Sequence, residues 1–172
     1  MHITLVLPVY NEEKNVKKVI TSVKKIVNRI IVIDNNSSDN TFNIIKKINK
    51  LNLKHCYNLG KSNSLKTGCD LAIKLKTDVI AFMDSDGQHK GTDLKKLINT
   101  MKLKKVDCVI GYRDNSRMPI IRGIGTLLIK IKPNSHGILL FPPYLHTAYT
   151  RNGLKPLHQN IGRKLGNLER VS

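Results

Sequence analysis

Val79-Ile80-Ala81-Phe82-Met83 runs directly into Asp84-Ser85-Asp86. An unbroken apolar run of this length, with no polar side, reads as a strand covered on both faces. Asp78 before it and Gly87 just after the carboxylates mark its limits. Charged carboxylates at a buried strand end are costly unless a cation neutralises them. Hard divalent cations take oxygen ligands, and Mg²⁺ commonly combines protein carboxylates with substrate phosphates. Asp84-Ser85-Asp86 is therefore either a Mg²⁺ or Mn²⁺ site for a phosphorylated ligand or a solvated acidic turn.

Other strand ends bear on that choice. Ile3-Thr4-Leu5-Val6-Leu7 is a second apolar run and leads into Pro8-Val9-Tyr10-Asn11-Glu12-Glu13. Ile30-Ile31-Val32-Ile33 is a third and leads into Asp34-Asn35-Asn36-Ser37-Ser38-Asp39-Asn40-Thr41. Between them the apolar spacing is helical. Val16, Val19, Ile20, Val23, Ile26 and Val27 share one face, with Lys17, Lys18, Lys24 and Lys25 opposite. Phe42, Ile44, Ile45 and Ile48 repeat the pattern, with Asn40 or Thr41 as a cap. Leu65, Cys69, Ala72, Ile73 and Leu75 outline a third helix. Alternating strands and helices predict a parallel α/β sheet, and ligands bind such sheets at the strands' carboxyl ends. Pro8-Val9-Tyr10, Asp34-Asn35 and Asp84-Ser85-Asp86 are thus expected at one crevice. Taken singly, Asp34 is equally a turn cap, Lys61 a solvated surface lysine, and Gln88 and His89 exposed loop residues.

Leu7-Pro8-Val9-Tyr10-Asn11-Glu12, Val32-Ile33-Asp34-Asn35-Asn36-Ser37-Ser38-Asp39-Asn40-Thr41, Asn58-Leu59-Gly60-Lys61-Ser62-Asn63 and Met83-Asp84-Ser85-Asp86-Gly87-Gln88-His89 occur in this order. Together they resemble the nucleotide-sugar-binding half of the family 2 glycosyltransferases with the GT-A fold, a Rossmann-like, mostly parallel sheet flanked by helices. The Asp-Ser-Asp-Gly-Gln-His segment is most similar to the dolichol-phosphate and polyprenol-phosphate sugar transferase branch. Val109-Ile110-Gly111-Tyr112-Arg113 resembles the strand and Gly-x-Arg that follow the metal motif there.

The resemblance implies a metal-dependent transfer of sugar from a nucleotide-diphosphate sugar, with Mg²⁺ or Mn²⁺ as cofactor. It implies that Asp86 and Gln88 ligate the metal. Asp84 would contact the sugar or ribose, directly or through the metal. Pro8, Tyr10 and Glu12 would line the nucleotide pocket beside Ser85. Asp34 would bond the base or ribose with the Ile33 backbone beside it, and Asn35 would also face the base. Lys61 would supply positive charge, and Arg113 would lie near the departing diphosphate. Asn35-Asn36 stands where the family often has Asp-Gly, which bears on base selectivity, and Lys90-Gly91 stands where it usually has proline.

The match covers residues 1–117, expected as the nucleotide-sugar-binding domain. Residues 118–132 are expected as a helix, entered near Pro119 and ended before Pro133. Residues 133–172 contain no recognisable continuation of the sheet or acceptor-side motif, and read as a divergent or truncated, irregular tail. No carboxylate base can be assigned. A phosphate monoester, with a second pKa of about 6, is already an anionic nucleophile, which agrees with the polyprenol or dolichol phosphate acceptor that the resemblance implies.

The chain of 172 residues suits one domain and carries a net charge of +18. After Asp114 the acidic side chains reduce to Glu169. Such a balance implies anionic partners: nucleotides, lipid phosphates, anionic membrane or nucleic acid. A basic nucleic-acid-binding protein is the competing class, but the aromatic residues form no stacking pattern and no helix-turn-helix or zinc spacing is present. A catalytically inactive nucleotide-binding fragment is the other alternative. Cys56, Cys69 and Cys108 have no Cys-x-x-Cys spacing, and Cys69 and Cys108 lie in apolar segments, which implies reduced thiols and a cytoplasmic location. Met1-His2 leads straight into the first strand without a signal-like run, and no apolar run approaches a membrane span. Any membrane contact is expected to be peripheral, on the cytoplasmic face.

Overall fold

The computed structural model describes residues 1–106, 108–112, 124–130, 139–141, 144–149 and 168–171, with side chains through 106 and at Cys108 and Val109. The first strand, β1 (Ile3–Val9), is buried at every position. It lies between β2 (Arg29–Asp34) and β4 (Val79–Met83), parallel to both. The short β3 (Asn52–Lys54) extends this parallel sheet beyond β2.

Side chains of these strands alternate between the two faces, as a period of two requires. Ile3, Leu5, Leu7 and Val9 join Ile30, Val32, Val79, Ala81 and Met83 in one core. Helix α1 (Val16–Val23) covers it with Val16, Val19, Ile20 and Val23, the stripe its sequence spacing predicts. Helices α2 (Thr41–Ile48) and α4 (Gly91–Lys104) add Ile45, Leu94, Leu97, Ile98 and Met101. Val6, Ile31, Ile33, Ile80 and Phe82 form the opposite core under Leu65, Cys69 and Ala72 of α3 (Lys61–Lys74). Both faces are therefore apolar, which is why these strands appear as continuous runs. The sequence reading did not pick out α4 or β3.

Beyond β4 the sheet continues with β6 (Ile124–Lys130), antiparallel to both β4 and β5 (Cys108–Tyr112). Strand β9 (Leu168–Val171) pairs parallel with β5, while β7 (Leu139–Phe141) and β8 (Tyr144–Tyr149) form a separate antiparallel pair. Two expectations are corrected here. The helix expected over residues 118–132 contains a strand instead, and the sheet does continue after Arg117. A short apolar run such as Leu127-Leu128-Ile129 fits either element. Gly125 weakens the helical alternative, and the strand satisfies the backbone groups along the edges of β4 and β5. The strand expected from Val109-Ile110-Gly111-Tyr112 is β5. No helix among the described residues is long and apolar enough to cross a membrane.

The β1–α1 and β2–α2 loops are bonded to each other reciprocally. Asn11 N–H donates to Ser37 Oγ at 2.9 Å, and Ser38 N–H donates back to Asn11 Oδ1 at 2.9 Å. Glu12 N–H reaches Thr41 Oγ1 at 2.8 Å, Glu13 N–H reaches Asp39 Oδ2 at 3.2 Å, and Asn40 N–H reaches Glu13 Oε2 at 3.0 Å. The expected cap of α2 is thereby redistributed. Asn40 occupies the cap position without a side-chain cap bond, and Asp39 Oδ1 accepts the Thr41 N–H at 3.0 Å.

Helix α3 seats tightly on β1 because Gly68 has no side chain. A Cβ there would lie 2.3 Å from Val6 Cγ1, in the fully buried core. Gly68→Ala is expected to lower stability by about 1–3 kcal/mol, as overpacking does. Thermal melting measures this, and adding Val6→Ala to the same chain should recover part of the loss.

Asp39 supplies a second prediction. Partial burial acts to raise its pKa, but hydrogen bonds from the Thr41 side chain and backbone and from the Glu13 N–H outweigh burial and hold it below the ordinary aspartate value. A carboxyl with a depressed folded pKa adds stability that is complete above the unfolded value of about 4 and is lost as pH falls through the folded one. Asp39→Asn should therefore lower the melting temperature near neutral pH. The gap from the unaltered chain should close in strongly acidic buffer.

Candidate functional site

Pro8 is where the crevice begins. The β1–β2 ladder runs as far as Val9 and Asp34, but the β1–β4 ladder stops at Val6 and Phe82. The Pro8 carbonyl accepts Ser85 Oγ–H at 2.9 Å, so it points towards the β4 side. In a parallel strand the missing N–H of proline faces the same neighbour, and the ladder cannot continue past it. The buried Ser85 hydroxyl takes over as a single staple between the two strand ends. Asp84 and Asp86, on either side of Ser85, are left partly exposed.

A cavity of about 410 Å³ opens at this point. Pro8, Val9, Tyr10 and Glu12 from β1 and its loop form one part of its wall, and Asp84, Ser85 and Asp86 form another. Asn35 after β2 and the Asn58–Lys61 turn into α3 complete it, together with Ser64. Pro8, Tyr10, Glu12, Asn35, Lys61, Asp84, Ser85 and Asp86 are thus brought together from distant parts of the sequence. Tyr10 is 48% exposed, so its ring is a cavity surface rather than core. Val9 is there as expected, whereas Asn58, Gly60 and Ser64 were given no role from sequence. Asn58 and Gly60 belong to the Asn-Leu-Gly-Lys motif, which was the available signal.

Asp34 does not reach this cavity wall. It is fully buried, and its carboxylate accepts the Ser37 N–H at 3.1 Å and the Ser37 hydroxyl. Lys54 Nζ lies 3.8 Å from Asp34 Oδ2 and donates to the Ser37 carbonyl at 3.0 Å. Asp34 thus ties the loop together, and Asn35 occupies the wall position. Strand alternation explains the exchange, because adjacent residues cannot both face the same way. Ile33 is fully buried in the core under α3. Gln88 is exposed and is not part of the cavity wall, but its N–H donates to Asp86 Oδ1 at 2.9 Å. Arg113 lies outside the described residues.

The charges of the site are arranged unevenly. Lys61 Nζ sits 2.6 Å from Asp84 Oδ1, with both side chains partly exposed. Gly60, in the left-handed region at φ 83°, lets the chain turn into α3 so that Lys61 begins the helix at the cavity. Among the described residues no group of three or more His, Cys, Asp or Glu could hold a metal ion. Asp84 and Asp86 bring two hard oxygen groups to the cavity wall, fewer than a full coordination shell. Mg²⁺ and Mn²⁺ are ions that share their coordination between carboxylates, water and phosphate oxygens.

The model of glycosyl transferase family 2 matches residues 4–158. An uncharacterized protein of Methanocaldococcus jannaschii is 32% identical over 133 residues, covering 73% of this chain and 58% of that protein. The UDP-N-acetylglucosamine–dolichyl-phosphate N-acetylglucosaminyltransferase of Methanococcus voltae is 29% identical over 148 residues, covering 73% of this chain and 59% of that enzyme. The chain thus spans little more than half the length of either relative. Among solved structures, glucosyl-3-phosphoglycerate synthase from Mycobacterium tuberculosis with Mn²⁺ and UDP-glucose is 25% identical with a TM-score of 0.54, covering 67% of this chain and 45% of that one. The same enzyme with phosphoglyceric acid superposes at a TM-score of 0.59 and 21% identity, covering 75% of this chain and 56% of that one. The family match takes in every strand end that lines the cavity, and the fold superposes on these solved structures: the chain belongs to glycosyl transferase family 2 and has the GT-A fold.

Proposed function

We propose that this chain is the donor-binding part of a metal-dependent glycosyltransferase that takes a nucleotide-diphosphate sugar. The observation that carries this reading is the meeting of Asp84, Asp86 and Lys61 with Tyr10, Glu12 and Asn35 around one cavity at the strands' carboxyl ends. The carboxylates suit the metal–diphosphate end of a donor, and the aromatic and amide groups suit its nucleoside.

Asp86, and Asp84 beside it, would hold Mg²⁺ or Mn²⁺. The ion, when bound, supplies charge stabilisation to the diphosphate as the glycosidic bond breaks. Lys61 compensates the Asp84 carboxylate and places an ammonium where phosphate oxygens would lie. Tyr10 offers a ring face for the base, and Glu12 an acceptor for the ribose. Glu12 is itself held by Asn15, whose Nδ2 donates to Glu12 Oε2 at 2.9 Å. Arg113 and Gln88 remain in the proposal as diphosphate and metal contacts by resemblance. The proposed acceptor is a polyprenol or dolichol phosphate. Its support is the Methanococcus voltae relative, named for a dolichyl-phosphate acceptor, and the chemistry of a phosphate that needs no base to attack. Acceptor transfer then calls for peripheral contact with a membrane surface, which the positive charge of the chain favours.

Calorimetry with a nucleoside diphosphate, with and without Mn²⁺, tests the reading. Mn²⁺ should strengthen binding, and Asp86→Ala should remove most of that gain, weakening affinity at saturating Mn²⁺ by at least about tenfold, as expected for lost charge-assisted contacts. Equal affinity with and without metal in the unaltered chain would overturn the metal assignment. Tyr10→Ala should weaken nucleoside diphosphate binding by about 1–3 kcal/mol, the range for base–aromatic stacking. It should leave pyrophosphate binding and the melting temperature unchanged, because the ring is not part of the core. An equal loss for pyrophosphate would rule out the base contact.

A further inference from the structure

His55 is buried and lies outside the cavity wall, yet it bonds to a residue that forms that wall. The directions of these bonds can be worked out. Leu59 N–H is a donor, and it meets the Asn35 side chain at Oδ1, at 2.9 Å. The amide of Asn35 is therefore held one way round. Its Oδ1 also faces His55 Nδ1 at 3.1 Å, so Nδ1 must carry a proton and donate. The other ring nitrogen, Nε2, shares a hydrogen bond of 3.1 Å with the Thr67 hydroxyl on α3. On its far side Asn35 Nδ2 donates to Asn58 Oδ1 at 2.6 Å, and that oxygen also takes the Gly60 N–H at 2.9 Å.

An amide at a binding wall is ambivalent, since a half-turn exchanges a donor for an acceptor. Here both lone pairs of Asn35 Oδ1 are occupied, by Leu59 and His55, and one N–H is used by Asn58. The hydrogen-bonding capacity left to Asn35 is its second N–H. Asn35 itself can give a hydrogen bond to a base but has no lone pair left with which to accept one. The same network holds the Asn58–Gly60 turn from which Lys61 enters α3.

We propose that His55 is a positioning residue that, together with the Leu59 N–H, holds the hydrogen-bonding polarity Asn35 presents to the base of the nucleotide, and so takes part in choosing the nucleoside. This rests on the donor reading above. Uracil and cytosine report the polarity directly, because the ring N3 of uracil is a donor and that of cytosine an acceptor. With the His55 proton gone, only the Leu59 N–H holds Asn35 Oδ1, and the amide is freer to turn its oxygen towards a base.

The test uses the full chain carrying His55→Leu or His55→Asn, titrated with UDP, CDP and pyrophosphate in the presence of Mn²⁺. His55→Leu should move the UDP-to-CDP affinity ratio towards UDP by about three- to tenfold, the worth of one hydrogen bond. It should leave pyrophosphate binding unchanged. His55→Asn, which keeps a donor near the Nδ1 position, should return the ratio towards that of the unaltered chain. Long-range proton–nitrogen NMR should find a proton on His55 Nδ1. Amide exchange at Leu59 and Gly60 should quicken in His55→Leu. An unmoved ratio in His55→Leu overturns the proposal, as does an equal loss for UDP, CDP and pyrophosphate, or an Nδ1 without a proton. If the unaltered chain binds neither nucleotide, the donor reading falls and this role falls with it. The NMR and exchange results then separate that failure from a failure of the network itself.

Discussion

Strand β1 is buried along its whole length, and its side chains supply apolar surface to both sides of the sheet. Leu5 and Leu7 pack under α1 and α4, and Val6 packs under α3. Burying each such side chain contributes roughly 1.5–3 kcal/mol, so the helices on both faces are anchored to one strand. Thr4, the polar member of the run, meets Thr77 through a buried hydroxyl–hydroxyl bond of 2.7 Å and leaves no unpaired group. This double burial constrains the rest. The strands beside β1 must also be apolar on both faces, and chemistry-bearing residues are pushed to the strand ends. At Pro8 the pairing with β4 ends while the pairing with β2 persists, and the cavity occupies the gap.

The two sides of that cavity are held by different forces. On the β1–β2 side the loops are cross-linked by short-range, directional hydrogen bonds among Asn11, Glu12, Glu13, Ser37, Asp39 and Thr41. Asn11 and Asn36 both adopt positive φ there, a conformation asparagine tolerates better than most residues. A wall built in this way needs little reorganisation on binding, which favours affinity by sparing conformational entropy. On the β4–α3 side, above the apolar packing of the two elements, the cavity wall is bridged by the Lys61–Asp84 ion pair between partly exposed groups. Exposed pairs contribute little to stability, about 0–1 kcal/mol. That side can exchange partners when a charged ligand arrives at small cost to the fold.

What the sequence made legible follows the same division. Long-range burial leaves a one-dimensional trace, so β1, β2, β4 and the stripe on α1 could be read directly. Helix α4 buries Leu94, Leu97, Ile98 and Met101 on one face, but its stripe is weaker than that of α1, and the exposed Leu103 blurs it. Strand β3 is short and mostly polar, held at the sheet edge by backbone pairing to β2, and such pairing has no side-chain signature. Strand β6 depends on the open edges of two distant strands, which no local pattern announces. At the site, residue types were legible and side-chain directions were not. Asp34 and Asn35 are neighbours with similar shapes, and only the register of β2 decides that the carboxylate turns inward to Ser37 and Lys54. His55 carried no signal at all, since a lone histidine after a polar strand is unremarkable until its ring nitrogens are seen to meet Asn35 and Thr67.

Charge explains why Lys61 and the carboxylates belong together. The chain as a whole is strongly positive, yet the cavity is lined by Glu12, Asp84 and Asp86. A diphosphate entering among these groups alone would meet like charge at short range, in surroundings less polar than water, where repulsion is strongest. Lys61 offsets one carboxylate. A divalent cation held by the others would reverse the local sign and leave the crevice attractive to phosphate. The cavity is then selective through what it repels as well as what it holds, because an anion arriving without a cation encounters uncompensated carboxylates. Positive charge elsewhere on the molecule acts at longer range, concentrating anions near the surface without choosing among them. Choice among bases is then left to the cavity wall and, in the proposed donor-binding role, to the hydrogen-bonding polarity of Asn35.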